Sequence, residues 1–146
     1  MHKIIKIKNH PDEIGRLQKS FRAFALRAEL PNSTTMTILI VLDEIVGNII
    51  NYGDFAPGSE NNDISIEIDT SDEMLMIIIS DTAGAFDPLL APEPDVVSPL
   101  EKRKIGGLGI YIVKSLMDSM EYCRDSGKNV LKLTCQIQPQ ADKDTS

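Results

Sequence analysis

LDEIVGNIINYG, residues 42–53, decides how this 146-residue chain is read. Glu44, Asn48 and Asn51 stand at i, i+4 and i+7, so at 3.6 residues per turn they form one narrow stripe on a helix. Apolar residues surround them: Ile38, Leu39, Val41, Leu42, Ile45, Val46, Ile49 and Ile50. Taken alone, the stripe reads equally well as the solvated face of an amphipathic helix. Composition argues for more. Asn is a poor helix former, and Gly47 costs about 1 kcal/mol against Ala in a helix interior. A carboxylate and an amide oxygen one turn apart can divide a task, one accepting a proton and the other holding a hard cation.

Outward from this stretch, the pattern predicts a short mixed fold. Lys3 to Lys8 alternates charge with Ile, which suits a strand with one apolar face. Pro11, Asp12 and Glu13 open a helix carrying Ile14, Leu17, Phe21, Phe24, Ala25 and Ala28, expected to end near Leu30 because Pro31 disfavours helical geometry before it. Asn32 or Ser33 can cap a second helix running to about Tyr52 and stopping at Gly53. The period then changes to two: Ile64, Ile66 and Ile68 alternate with Ser65, Glu67 and Asp69. A turn at Ser71 to Glu73 and an apolar strand from Met74 to Ser80 complete a hairpin. A long segment from Ala83 to Gly107 holds four prolines (88, 92, 94 and 99) and no periodicity, as functional loops do. Helical spacing returns at Leu108, Ile112, Val113, Leu116 and Met117, followed by a hairpin from Met120 to Arg124 and Val130 to Ile137. The polar tail, 139–146, is expected to fray. The order β-α-α-β-β-loop-α-β-β implies an antiparallel or mixed sheet with helices on one face, in one domain over residues 1–138.

Composition narrows the function. A net charge of -7 argues against nucleic acid or anionic lipid as the main partner, because both need a basic face. Cys123 and Cys135 lack metal-ligand spacing and read as small core or strand residues. The first ten residues have no long apolar run or cleavage site, and the apolar stretch 37–50 is interrupted by Asp43, Glu44 and Asn48 and falls short of the ~20 residues of a membrane span. A soluble, reducing, cytoplasmic setting is expected.

Two further features carry chemistry. Asp81 ends the apolar strand MLMIIISD and enters the turn Thr82-Ala83-Gly84-Ala85, where a carboxylate can accept from a base amino group or simply shape an Asx turn. Gly106-Gly107-Leu108-Gly109 runs into a helix, so backbone N–H groups and the helix N-terminus can face phosphate oxygens. No Gly-Lys-Ser/Thr follows, and no strand precedes, so neither a P-loop nor a dinucleotide-binding turn fits.

Together, E-x-x-x-N on a helix, a strand ending in Asp before a Gly-containing turn, and a long loop closing on G-G-L-G resemble the GHKL (Bergerat) ATP-binding fold. The stretches LDEIVGNIINYG, SDTAGAFDPL and IGGLGIYIVKSLMD look most like the anti-sigma-factor serine kinases of the RsbW and SpoIIAB type, over roughly residues 11–133. The resemblance implies an α+β fold, a two-layer α/β sandwich whose mixed, mostly antiparallel sheet has helices on one face. It implies ATP and Mg2+ as cofactors. Asn48 would ligate Mg2+ at the phosphates, Glu44 would be the general base, and Asp81 would accept from the adenine amino group. Gly106, Gly107, Leu108 and Gly109 would donate to phosphates, and residues 88–105 would form the ATP lid. The chain departs from the family's D-x-G, with Ala83 at the third position and the glycine displaced to Gly84. Where a Thr usually helps bind the base, Asn129 and Thr134 are available and unassigned. Ile105 stands where a relative can carry Arg, and Lys104 or Arg103 would reach the γ-phosphate instead.

The implied function is an ATP-dependent protein serine/threonine kinase that holds a sigma factor inactive and phosphorylates a serine of a STAS-domain anti-sigma antagonist. A homodimer through the first strand and helix is plausible from the same resemblance. The alternative is an ATP-gated partner switch with little or no phosphotransfer. A sensor histidine-kinase fragment fits less well, since neither His2 nor His10 lies in a dimerisation helix pair, and a stand-alone ATPase would need a transducer domain.

Overall fold

The computed structural model describes residues 1–56, 62–90 and 107–137. Five strands, β1 (His2–Lys8), β2 (Asp63–Thr70), β3 (Met74–Asp81), β4 (Ser119–Asp125) and β5 (Lys128–Gln136), form one sheet in the order β1-β2-β3-β5-β4. Every pairing is antiparallel, so the expected mostly antiparallel sheet has no parallel component among the described residues. Register explains the period of two. Ile5, Ile66, Ile79 and Leu131 line up across four strands on one face, and all are buried. The next row, Ile4, Glu67, Ile78, Lys132 and Glu121, points to the opposite face and is largely charged, as a solvated antiparallel face should be.

Three helices cover the apolar face: α1 (Glu13–Arg27), α2 (Asn32–Tyr52) and α3 (Gly107–Leu116). Leu17, Phe21 and Phe24 of α1, Ile38, Val41, Leu42 and Val46 of α2, and Val113 of α3 join the strand isoleucines in one core cluster. With aromatics scarce, branched aliphatic side chains fill this layer, and Phe21 and Phe24 are the large rings within it. By length and composition, the 21 residues of α2 could cross a bilayer. Seven of its residues are instead buried within the fold.

Helix boundaries differ from the sequence reading in two places. The first helix ends at Arg27 rather than near Leu30. Glu29 adopts a left-handed φ of 55°, and Leu30 N–H donates to Ala25 O at 2.9 Å, a Schellman-type close in which Glu29 holds the place glycine usually takes. At the start of α2, Pro31 is the N-cap residue, and neither Asn32 nor Ser33 caps. The β4–β5 turn is Ser126-Gly127, both at positive φ (51° and 78°), the geometry a two-residue hairpin needs. A short 3-10 helix, Pro88–Leu90, follows β3. The rest of the expected lid and the polar tail lie outside the described residues.

Candidate functional site

The stripe on α2 opens into a cleft of about 400 Å³ between α2 and α3, of a size that suits a small ligand. Its walls are Asp43, Glu44, Gly47, Asn48, Asn51 and Tyr52 from α2, Leu108, Gly109 and Ile112 from α3, and Ile14 from α1. Glu44 and Asn48 are half-buried. Among the described residues, neither side chain takes part in a hydrogen bond or ion pair, so both polar ends are available to a ligand. No Lys, Arg or His lines the cleft among those residues.

α3 begins at Gly107, so its first turn, with backbone N–H groups free of intrahelical acceptors, lies beside the α2 stripe. Gly109 is buried against Glu44, while Leu108 stays half-exposed at the rim. Lys104 and Gly106, named with this turn from sequence, lie outside the described residues, as do Arg103 and Ile105.

Asp81 and Gly84 do not line this cleft; they belong to a second polar cluster at the end of β3. Asp81 is 5% exposed, and its Oδ1 accepts from Ala83 N–H at 2.9 Å and from Asn129 Nδ2 at 3.0 Å. The Asx-type turn is therefore real, and it coexists with a buried carboxylate. Ala83 stands in this turn without backbone strain, because its φ is not positive. It is buried, and its carbonyl accepts from Arg124 Nη1 at 2.7 Å. Gly84 N–H donates to Asp54 O at 2.7 Å, which ties this turn to the segment leaving α2. The end of α2 thus connects the two clusters.

Sequence reasoning left Asn129 unassigned. Its place follows from hairpin register, which sets it directly opposite Asp81. Its amide donates to Asp81 and to Gly84 O, and its carbonyl oxygen accepts from Phe86 N–H and the Tyr122 hydroxyl. Thr134 lies further along β5, opposite Met76 and hydrogen-bonded to the Ser119 hydroxyl, away from Asp81. Asp43, Tyr52, Ile112 and Ile14 line the cleft without having been singled out, and only the packing of three helices shows it.

Residues 7–135 match the family described as the histidine kinase-like ATPase domain. The chain belongs to that family. Among similar proteins, the serine/threonine-protein kinase BtrW of Bordetella bronchiseptica is 27% identical over 80% of this chain and 81% of its own. The serine-protein kinase RsbW of Bacillus pumilus is 23% identical over 97% and 90%, and that of Listeria monocytogenes 27% over 81% and 75%. In fold, the chain resembles the structure of the RsbU and RsbW domains of Rv1364c from Mycobacterium tuberculosis, with a TM-score of 0.68 and 13% identity. That likeness covers 95% of this chain and spans 33% of the other.

Proposed function

We propose that this domain is an ATP-dependent protein serine/threonine kinase of the anti-sigma type, one domain over residues 1–138, acting in the cytoplasm. Its partners would be a sigma factor and a STAS-domain antagonist carrying the acceptor serine. The observation that carries the reading is the pairing of Glu44 and Asn48, one turn apart on α2, against the first turn of α3 in a single cleft. ATP phosphates would lie at that turn, with Gly106, Gly107, Leu108 and Gly109 as backbone donors and Lys104 as the cation for the γ-phosphate. Asp81 and the Gly84 turn would receive the adenine.

The donor set suits a nucleotide-borne cation. Among the described residues there is no group of three His, Cys, Asp or Glu able to hold a metal on its own. Mg2+ commonly keeps several waters and takes one or two protein oxygens plus phosphates. Asn48 would supply such an oxygen, and the ion would contribute neutralising charge at the phosphates. Transfer then needs positioning and a base. The serine Oγ bonds to the γ-phosphorus, the bond to the β-γ bridging oxygen breaks, ADP leaves, and Glu44 takes the hydroxyl proton.

Intact-mass spectrometry of candidate STAS-domain proteins after incubation with this protein, ATP and Mg2+ tests the proposal. A phosphoryl increment that disappears with Glu44→Gln is expected. A second reading, an ATP-gated partner switch with little or no phosphotransfer, rests on Ala83 standing where the resemblance expects glycine. ATP-dependent partner binding with no mass increment would select it.

A further inference from the structure

Gly109 offers no side chain to the cleft, and Glu44 fills the space one would occupy. A Cβ added to Gly109 would lie 2.2 Å from Glu44 Oε2 and 3.1 Å from its Cδ. The first distance is far inside contact, so with Glu44 where it stands only glycine fits. Backbone freedom does not explain this glycine. Its φ is not positive, it lies inside α3, and Ala is the better helix former. Gly15 and Gly47, also helical, have nothing within 4 Å of an added Cβ. Among the helical glycines 15, 47 and 109, the constraint is thus particular to Gly109, and it involves one partner.

The obstructing atoms are the far end of a flexible side chain. The nearest is a carboxylate oxygen, whereas Glu44 Cβ is at an ordinary 3.7 Å. An added methyl would swing the carboxylate aside and leave the backbone in place. We propose that Gly109 is a positioning residue: its missing side chain lets α3 press against Glu44 and fixes where that carboxylate stands in the cleft. This rests on the reading of Glu44 as the base, and it gives Gly109 a role separate from any backbone contact with phosphate.

The test uses the full chain with Gly109→Ala, Glu44→Gln and the double variant. Gly109→Ala should melt no lower than wild type, and the side-chain carboxyl 13C resonance of Glu44 should shift. Phosphotransfer should fall on the order of 100-fold, the scale of a lost general base, with a far smaller change in Mg-ATP affinity. In the Glu44→Gln background, Gly109→Ala should slow the residual rate no further. If Gly109→Ala does melt lower, adding Glu44→Ala should restore the melting temperature, because the obstructing atoms are gone. An unmoved Glu44 resonance, an equal rate loss in the Glu44→Gln background, or a melting loss that persists with Glu44→Ala would each overturn the proposal. Failure of wild type to transfer phosphate would overturn the kinase reading instead, and the resonance would still decide the role of Gly109.

Discussion

Asp81 and Asn129 stand directly opposite each other on β3 and β5, and the Asn129 amide donates to Asp81 Oδ1 at 3.0 Å. Both are buried. One amide therefore fixes a carboxylate, the turn that follows it through Gly84 and Phe86, and Tyr122 on the edge strand. Asn129→Asp removes the donor and sets a second carboxylate beside the first. Two such groups cannot both ionise cheaply, so one is pushed up in pKa. The variant should lose about 1–3 kcal/mol of stability near neutral pH. Raised folded-state pKa values make the deficit grow as pH climbs above about 4, the ordinary carboxylate value. Urea denaturation at pH 5 and pH 8 checks this; equal deficits at both would refute the shared-proton account.

Asn48 gives a different kind of test, because its expected partner is the cation rather than the base. Asn48→Ala removes one oxygen from the cleft wall and leaves the α3 turn and Asp81 untouched. ATP titrations with and without Mg2+ should therefore diverge. Binding with Mg2+ should weaken about tenfold, the effect of about 1.4 kcal/mol, and Mg2+-free binding should change little. Equal losses in both titrations would remove Asn48 from the metal role.

Glu29 is a surface residue with a backbone conformation that glycine would take without strain. Its φ of 55° closes α1, and its side chain forms no hydrogen bond or ion pair among the described residues. Glu29→Gly relieves the Cβ strain at the cost of a more flexible unfolded chain. The net change should be a stabilisation of a few tenths to about 1 kcal/mol, read as a rise in melting temperature. A fall would mean that Glu29 makes contacts in solution that offset the strain.

This residue also marks a limit of sequence reading. The element order was legible because Ile64, Ile66 and Ile68 alternate and because α2 is long and periodic. The end of α1 was not, since nothing in Glu29 announces a left-handed φ, and Pro31 pointed to a boundary too late. Glu44 and Asn48 were visible on one helix, where spacing alone puts them on one face. Asn129 opposite Asp81 depends on pairing two strands 48 positions apart in the chain, and Gly109 against Glu44 depends on how two helices dock. Local periodicity carries neither. The strand order likewise follows from which hairpin docks on which, with β5 between β3 and β4.

Glu13 ties the start of α1 to the end of β1, beside the Ile14 wall of the cleft. Its Oε2 accepts from Arg16 Nε at 2.7 Å, its Oε1 accepts from Lys8 N–H at 3.0 Å, and Arg16 Nη2 donates to Lys6 O at 2.8 Å. The hydrogen bond from the Arg16 guanidinium, then that from the Lys8 backbone, hold the Glu13 carboxyl at about 2 against an ordinary 4.5. A carboxyl with a depressed folded-state pKa contributes stability that is fully present above its unfolded value. That contribution fades as pH falls from 4.5 through about 2. Glu13→Gln should therefore be less stable than wild type at pH 7 and lose that difference on acidification, with the two converging near pH 2. High salt should shrink the gap at pH 7, because the pair is partly exposed. Parallel denaturation curves for the two proteins between pH 7 and pH 3 are the measurement. A gap that stays constant over that range would mean Glu13 acts through shape rather than charge.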